Sequence, residues 1–131
     1  MIDLVKPWIA FLKPWEKVKE TKGSILEGII YAEIGVLAAA LLVAVLLLWL
    51  FSGTISVTSI ILYLALSVIL APISLIINSG ILYIIAKLFG GKGSFELQTF
   101  RIGYFGYPLA ILSSISIICL PAGLYILTIL L

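Results

Sequence analysis

Two apolar runs, Ile25–Phe51 and Ile55–Phe89, hold between them only Glu27, Glu33 and Lys87 as charged residues. Runs of this length constrain the fold more than any other feature. In hydrocarbon every backbone N–H and C=O must be satisfied within the chain, which leaves helices and closed barrels as spanning structures. Neither run alternates polar and apolar residues as a barrel strand does, so the expectation is helical. Hydrophobic residues make up 63% of the 131 residues and charged residues 11%, against about 45–50% and about 25% in soluble domains. Too little polar surface remains to clothe a water-soluble globule, and the expected fold class is all-α: a polytopic helical membrane protein with about three transmembrane helices plus interfacial amphipathic helices. Residues 1–24 are expected as a cytoplasmic or interfacial segment. The spans are expected at about 25–51, 55–89 and 107–131, with a cytoplasmic loop and short helix at 90–106.

At 1.5 Å per residue the first run reaches roughly 40 Å, enough for a hydrocarbon core of about 30 Å with some tilt. Gly23 and Ser24 precede it, and Ser24-Ile25-Leu26-Glu27 fits the S-x-x-E capping box. Ser52-Gly53-Thr54 reads as a tight, uncharged turn. The second run would reach roughly 52 Å as one helix, or would split near Ala71-Pro72 into two spans of minimal length. Charge decides between these. Lys6, Lys13, Lys17, Lys19 and Lys22 precede the first run, while Lys87, Lys92 and Arg101 follow or end the second. One crossing puts all eight cations on one side, as the positive-inside rule favours. The second run is therefore read as one long helix, kinked at Pro72 or near Asn78-Ser79-Gly80. The N-terminus is cytoplasmic and the localisation is the cell membrane. No cleavable signal pattern precedes the first span.

Gly90-Gly91-Lys92-Gly93 stops that helix, and Ser94 caps a short one that carries Phe95, Leu97, Phe100, Tyr104 and Tyr107 at the interface. Tyr107–Leu131 is the expected third span, bent or broken at Pro121. It ends in Thr128-Ile129-Leu130-Leu131 without a polar tail, which fits a chain cut short or one finishing at the far interface. Lys6-Pro7-Trp8 recurs as Lys13-Pro14-Trp15. Trp8, Phe11, Leu12, Trp15 and Val18 then follow helical spacing with lysines between them, as in short helices lying on a membrane face.

Polar residues inside the spans are the candidate chemistry. Glu27 has a sufficient role as the capping acid. Glu33 lies nearly two turns deeper, where an acid is costly. Its role is either a structural hydrogen bond or an ion or substrate site. For antiparallel helices joined at Gly53, Glu33 lies level with Ile73-Ser74 and Glu27 with Asn78-Ser79. Ser74, Asn78, Glu27 and Glu33 are thus one candidate intramembrane polar site. Gly28, Ala32, Gly35 and Ala39 form a small-residue stripe, expected to pack against the second span, with a homo-oligomer interface as the alternative. Ser113, Ser114, Ser116 and Cys119 give the third span a weakly polar face for helix packing. Catalysis of the soluble type lacks its parts. The chain has no histidine and a single cysteine, no metal-ligand cluster and no Walker phosphate loop. Neither enzyme activity nor a cofactor is expected. No nucleic-acid partner is needed to explain the lysines, because they adjoin apolar spans where a bilayer with anionic headgroups is the natural partner.

The stretch Asn78–Pro108 resembles the Yip family, the Rab/Ypt-interacting multi-span membrane proteins, and in particular its short prokaryotic members. The match is carried by Lys87-Leu88-Phe89-Gly90-Gly91-Lys92-Gly93-Ser94-Phe95, a short polar helix, and Gly103-Tyr104-Phe105-Gly106-Tyr107-Pro108, which fits a G-Y-x-x-x-P element. Pro14-Trp15-Glu16-Lys17-Val18-Lys19-Glu20 resembles the proline-led helix before the first span. The family's usual five spans exceed the three that fit here, and the D-L-Y-G-P motif of eukaryotic members is absent, so only the membrane core is shared. The resemblance implies a scaffold or adaptor that acts in membrane organisation or trafficking through protein and lipid contacts. Lys92, Arg101, Tyr104, Tyr107 and Pro108 are then the candidate partner or lipid contacts on the cytoplasmic face, with Pro108 fixing where the third span starts. The alternative from another class is a small oligomeric transporter or channel using Glu33 and Asn78.

Overall fold

The computed structural model describes residues 2–17, 21–50 and 56–130, with the backbone alone for residues 15, 16, 50, 118 and 120–130. The expected turn at Ser52-Gly53-Thr54, with Val18 and Lys19, lies outside the described residues. Those that are described form an all-α chain: α1 (Lys6–Leu12), α2 (Pro14–Lys17), α3 (Ile25–Leu50), α4 (Val57–Leu88) and α5 (Phe95–Leu130). Two helical segments, Ile25–Trp49 and Val57–Leu88, are long and apolar enough to cross a membrane.

Local chemistry sets the helix ends. At α3 the Ser24 N–H donates to Glu27 Oε2 (2.9 Å) and the Glu27 N–H donates to Ser24 Oγ (3.2 Å), the reciprocal pair of a capping box. Ser56 and Ser94 accept from the N–H groups of Ser59 and Leu97 at the starts of α4 and α5. α4 stops where Gly90 takes φ +81°, a conformation open to glycine at little cost. The Gly91 N–H then donates to Ala86 O (2.8 Å) and the Gly90 N–H to Lys87 O (3.1 Å), which is a Schellman closure.

Helix α4 runs unbroken through Pro72 and through Asn78-Ser79-Gly80. So does α5 through Pro108 and Pro121. This corrects the expected division at Pro108: the short helix and the third segment are one element, and Pro108 starts nothing. An interior proline costs a helix on the order of 3 kcal/mol. Packing offsets that cost, because Pro108 is fully buried and Tyr104 and Tyr107 beside it are buried as well.

The helix arrangement follows from three close approaches. A Cβ on Gly28 would meet Phe100 Cα at 2.7 Å and Thr99 O at 2.9 Å, and one on Gly35 would meet Tyr107 Cα at 2.8 Å. Residue numbers rise together on the two helices, so α3 and α5 run parallel. Tyr83, near the end of α4, packs edge-on against Phe95 at the start of α5, with ring centroids 5.7 Å apart. Helix α4 therefore returns antiparallel to both. The two glycines of the small-residue stripe, Gly28 and Gly35, serve the α5 contact and not the expected α4 contact. Gly28 and Gly103 meet backbone to backbone, where any side chain would keep the helices apart.

Helix α4 buries only a narrow line, Ala71, Leu75 and Ser79, at four-residue spacing. The rest of its apolar surface, including Ile69, Leu70, Ile73, Ile77 and Ile84, is exposed. Of the weakly polar face of α5, Ser114 is buried while Ser113, Ser116 and Cys119 are exposed. That face is thus not a packing face, apart from Ser114. Its hydroxyls donate to carbonyls of their own helix, at 2.8 Å for Ser113, 2.7 Å for Ser114 and 3.0 Å for Ser116. This is how a hydroxyl is satisfied when no water or partner is near.

Candidate functional site

The parallel run of α3 and α5 brings their two capped N-termini to the same end, together with the glycine turn that closes α4. At this end the core is aromatic. Tyr31 of α3 stands edge-on to Tyr104 (centroids 5.1 Å) and Phe100 (6.4 Å) of α5, and it is buried, as are both partners. Such pairs contribute about 0.5–1.5 kcal/mol each beyond the area they bury.

Helix α1 docks onto this cluster. Asp3 starts it by accepting from the N–H groups of Val5 (3.0 Å) and Lys6 (3.3 Å) through Oδ1. Those hydrogen bonds hold the exposed carboxyl below the usual carboxylate range. The Tyr31 hydroxyl donates to Asp3 O (3.2 Å) and accepts from the Asp3 N–H (3.3 Å), so one side chain pins the peptide groups on both sides of the Asp3 Cα. Pro7 and Ala10 are buried, and Trp8 stands edge-on to Tyr107 at 6.1 Å. Because Tyr107 is level with Gly35, α1 packs along α5 over the stretch level with roughly the first 15 Å of α3. The N-terminal segment was expected as one or two short helices lying on the cytoplasmic face; α1 is docked on the aromatic residues of α5. Its outer side is still apolar, with Val5, Ile9 and Leu12 exposed.

Between α1, the segment after α2, and the first turns of α3 and α5 lies a cavity of about 580 Å³. Lys6, Lys17 and Lys22 line it with Asp3 and Glu27, above an aromatic floor of Tyr31, Phe100 and Tyr104. Both carboxylates are engaged by backbone N–H groups. Lys6 also pairs with Asp3 Oδ2 at 3.5 Å, an exposed contact worth little by itself.

The expected site residues separate into three groups. Tyr104, Tyr107 and Pro108 are brought together, but as buried packing around Tyr31 and Trp8 and not as a free contact surface. Lys92 is exposed in the glycine turn. Arg101 is half-buried, and its Nε is enclosed without a hydrogen-bond partner among the described residues. The polar set Glu27, Glu33, Ser74 and Asn78 does not assemble. Glu27 is committed to the cap. Asn78 and Ser74 fall beside the buried line of α4 and are exposed, with the Ser74 hydroxyl donating to Ala71 O (3.0 Å). Glu33 is half-buried, with Oε2 enclosed and without a hydrogen-bond partner among the described residues. Ser79, which the Tyr83–Phe95 pair sets level with Thr99, is fully buried.

Tyr31 and Asp3 were not singled out by sequence reasoning, while Lys6, Trp8 and Lys22 were read for orientation and for a membrane-face helix, not as parts of a site. Two signals were available: Tyr31 is the one aromatic in the first half of an aliphatic run, and Pro7 and Ala10 give α1 a small face that permits close approach. Among the described residues no group of three or more His, Cys, Asp or Glu could hold a metal. Compared with known proteins, the chain matches no family model, no curated protein and no solved structure.

Proposed function

We propose that this chain is an integral membrane protein of the cell membrane. Helices α3, α4 and the later part of α5 cross the bilayer, and the N-terminus is cytoplasmic. It acts as a Yip-like scaffold or adaptor through protein and anionic-lipid contacts of its basic end, not as an enzyme. One observation carries the reading: the parallel run of α3 and α5 gathers the lysines around α1 and α2, the glycine turn with Lys92, and the cavity at a single end of the bundle. A protein organised this way presents one charged, structured face and one aliphatic body. The exposure of α4 supports the bilayer reading, because a long apolar helix in a soluble core would be largely enclosed.

Paired cysteine labelling tests the orientation. In a Cys119→Ser background, Lys92→Cys should react only after the cytoplasmic side is opened, and Trp49→Cys should react from outside. Labelling of position 92 from outside refutes the cytoplasmic face and the scaffold built on it. Partner recruitment is tested by isolation from native membranes: a partner held by this face is lost on Lys92→Glu and kept on Trp49→Ala. A second reading, a small oligomeric transporter, draws on the enclosed unpartnered oxygen of Glu33 alone, since Ser74 and Asn78 lie elsewhere. Flux in liposomes that Glu33→Gln abolishes would establish it in place of the scaffold.

A further inference from the structure

We propose that the cavity beside α1 binds a phosphate-bearing anion, supplied by the headgroup of an acidic phospholipid. The inference rests on the membrane reading above and adds a discrete site to it. At about 580 Å³ the cavity is of ligand-binding size. Its charged lining holds three lysines against two carboxylates, one of which, Asp3, pairs with Lys6 through Oδ2. Asp3 Oδ1 is taken by two backbone N–H groups and Glu27 Oε2 by the Ser24 N–H, so each carboxylate serves a helix start. Lys6, Lys17 and Lys22 supply compact ammonium charges with rotatable donors, suited to phosphate oxygens. The parallel N-termini of α3 and α5 add positive potential at the same end.

The rest of the lining fits the lipid source. Phosphate alone has no use for the buried aromatic rings of Tyr31 and Phe100, whereas a glycerol backbone and its first acyl carbons would cover them. Ile9 lines the cavity and is also half exposed on the outer side of α1, next in line with Leu12. That continuity joins the charged chamber to the apolar flank along which acyl chains would lie.

The test uses the full chain in nanodiscs of phosphatidylcholine with a minor fraction of phosphatidylglycerol, with retained lipid read by native mass spectrometry. Removing Lys6 and Lys22 together as Lys6→Gln and Lys22→Gln should weaken phosphatidylglycerol retention about 25-fold, at about fivefold per lysine. The arginine pair, Lys6→Arg and Lys22→Arg, should restore it. Lys13→Gln with Lys87→Gln removes the same charge outside the cavity and should weaken retention far less than the cavity pair does. Equal losses from both glutamine pairs would overturn the site in favour of diffuse attraction. Displacement of the lipid by millimolar inorganic phosphate would overturn the lipid as source. A chain that withstands alkaline carbonate washing of membranes yet retains no phosphatidylglycerol over phosphatidylcholine refutes the site alone. A chain released by the wash refutes the membrane reading and the site together.

Discussion

Glycine-to-alanine changes within one helix separate intrinsic helix preference from helix contact. Gly103 and Gly106 both lie in α5, three residues apart. A Cβ at Gly106 meets nothing within 4 Å, whereas one at Gly103 would run into the carbonyl of Gly28. Each substitution gains the same intrinsic preference, about 0.5–1 kcal/mol. Only Gly103→Ala must also drive α3 and α5 apart. The neighbouring approach of 2.7 Å from a Gly28 Cβ to Phe100 Cα, against about 3.5–4 Å for carbon contacts, sets the scale of that movement near 1 Å. Such a gap forfeits a quarter to a half of the contact energy along the seam. Overpacking of this kind costs about 1–3 kcal/mol. Gly106→Ala should therefore raise the thermal midpoint in detergent micelles, followed by far-ultraviolet circular dichroism, and Gly103→Ala should lower it. The two variants should differ by the overpacking cost alone. A Gly103→Ala protein as stable as Gly106→Ala would refute the parallel α3–α5 seam.

Tyr31→Phe keeps the rings and removes both hydrogen bonds to Asp3, at a cost of about 1–2 kcal/mol. Hydrogen exchange should speed up over residues 5–12 while α3 and α5 stay protected. Ser24→Ala should cost about 1 kcal/mol through the lost cap, seen as faster exchange in the first turn of α3, with Ser67→Ala as the inert comparison. The Asp3 carboxyl lies below its usual range in the folded chain, so its contribution is complete above about pH 4, the unfolded value. It is lost as pH falls through the lower folded value. Trp8 fluorescence in a chain carrying Trp15→Phe and Trp49→Phe should report loosening of α1 below pH 4. Asp3→Ala should already be loosened at neutral pH and should remove the acid transition.

What could be read from the sequence is what depends on neighbours along the chain. The Ser24–Glu27 box, the Ser94 cap and the stop at Gly90-Gly91 each rest on residues within a turn of one another, and each formed at the expected position. Helical class and the two long apolar helices follow from composition and run length, which need no partner. Partner choice was harder to read. The stripe Gly28, Ala32, Gly35 and Ala39 announces a close helix contact but does not name the other helix, and adjacency in the chain favours α4. Aromatic residues decide otherwise, because Phe100, Tyr104 and Tyr107 follow the same period around Gly103 and fit Tyr31. Pro108 was read by its local preference to end a helix, which burial overrode. For α1, lysines and tryptophans at helical spacing describe a membrane-surface helix and a docked one equally well. Only the small face at Pro7 and Ala10 and the hydroxyl of Tyr31 distinguish them.

The backbone contact between Gly28 and Gly103 joins positions 75 residues apart, so this tight seam is also among the last to become available during synthesis. Helices α3 and α4 are complete before the residues that cover Gly28 and Gly35 have been made, and non-local pairings of this kind form late. Over that interval the nascent chain carries an open groove of small residues, and Tyr31 has no α5 ring to stack against. Until α5 arrives, what Tyr31 keeps is its pair of hydrogen bonds to Asp3, which need no part of α5.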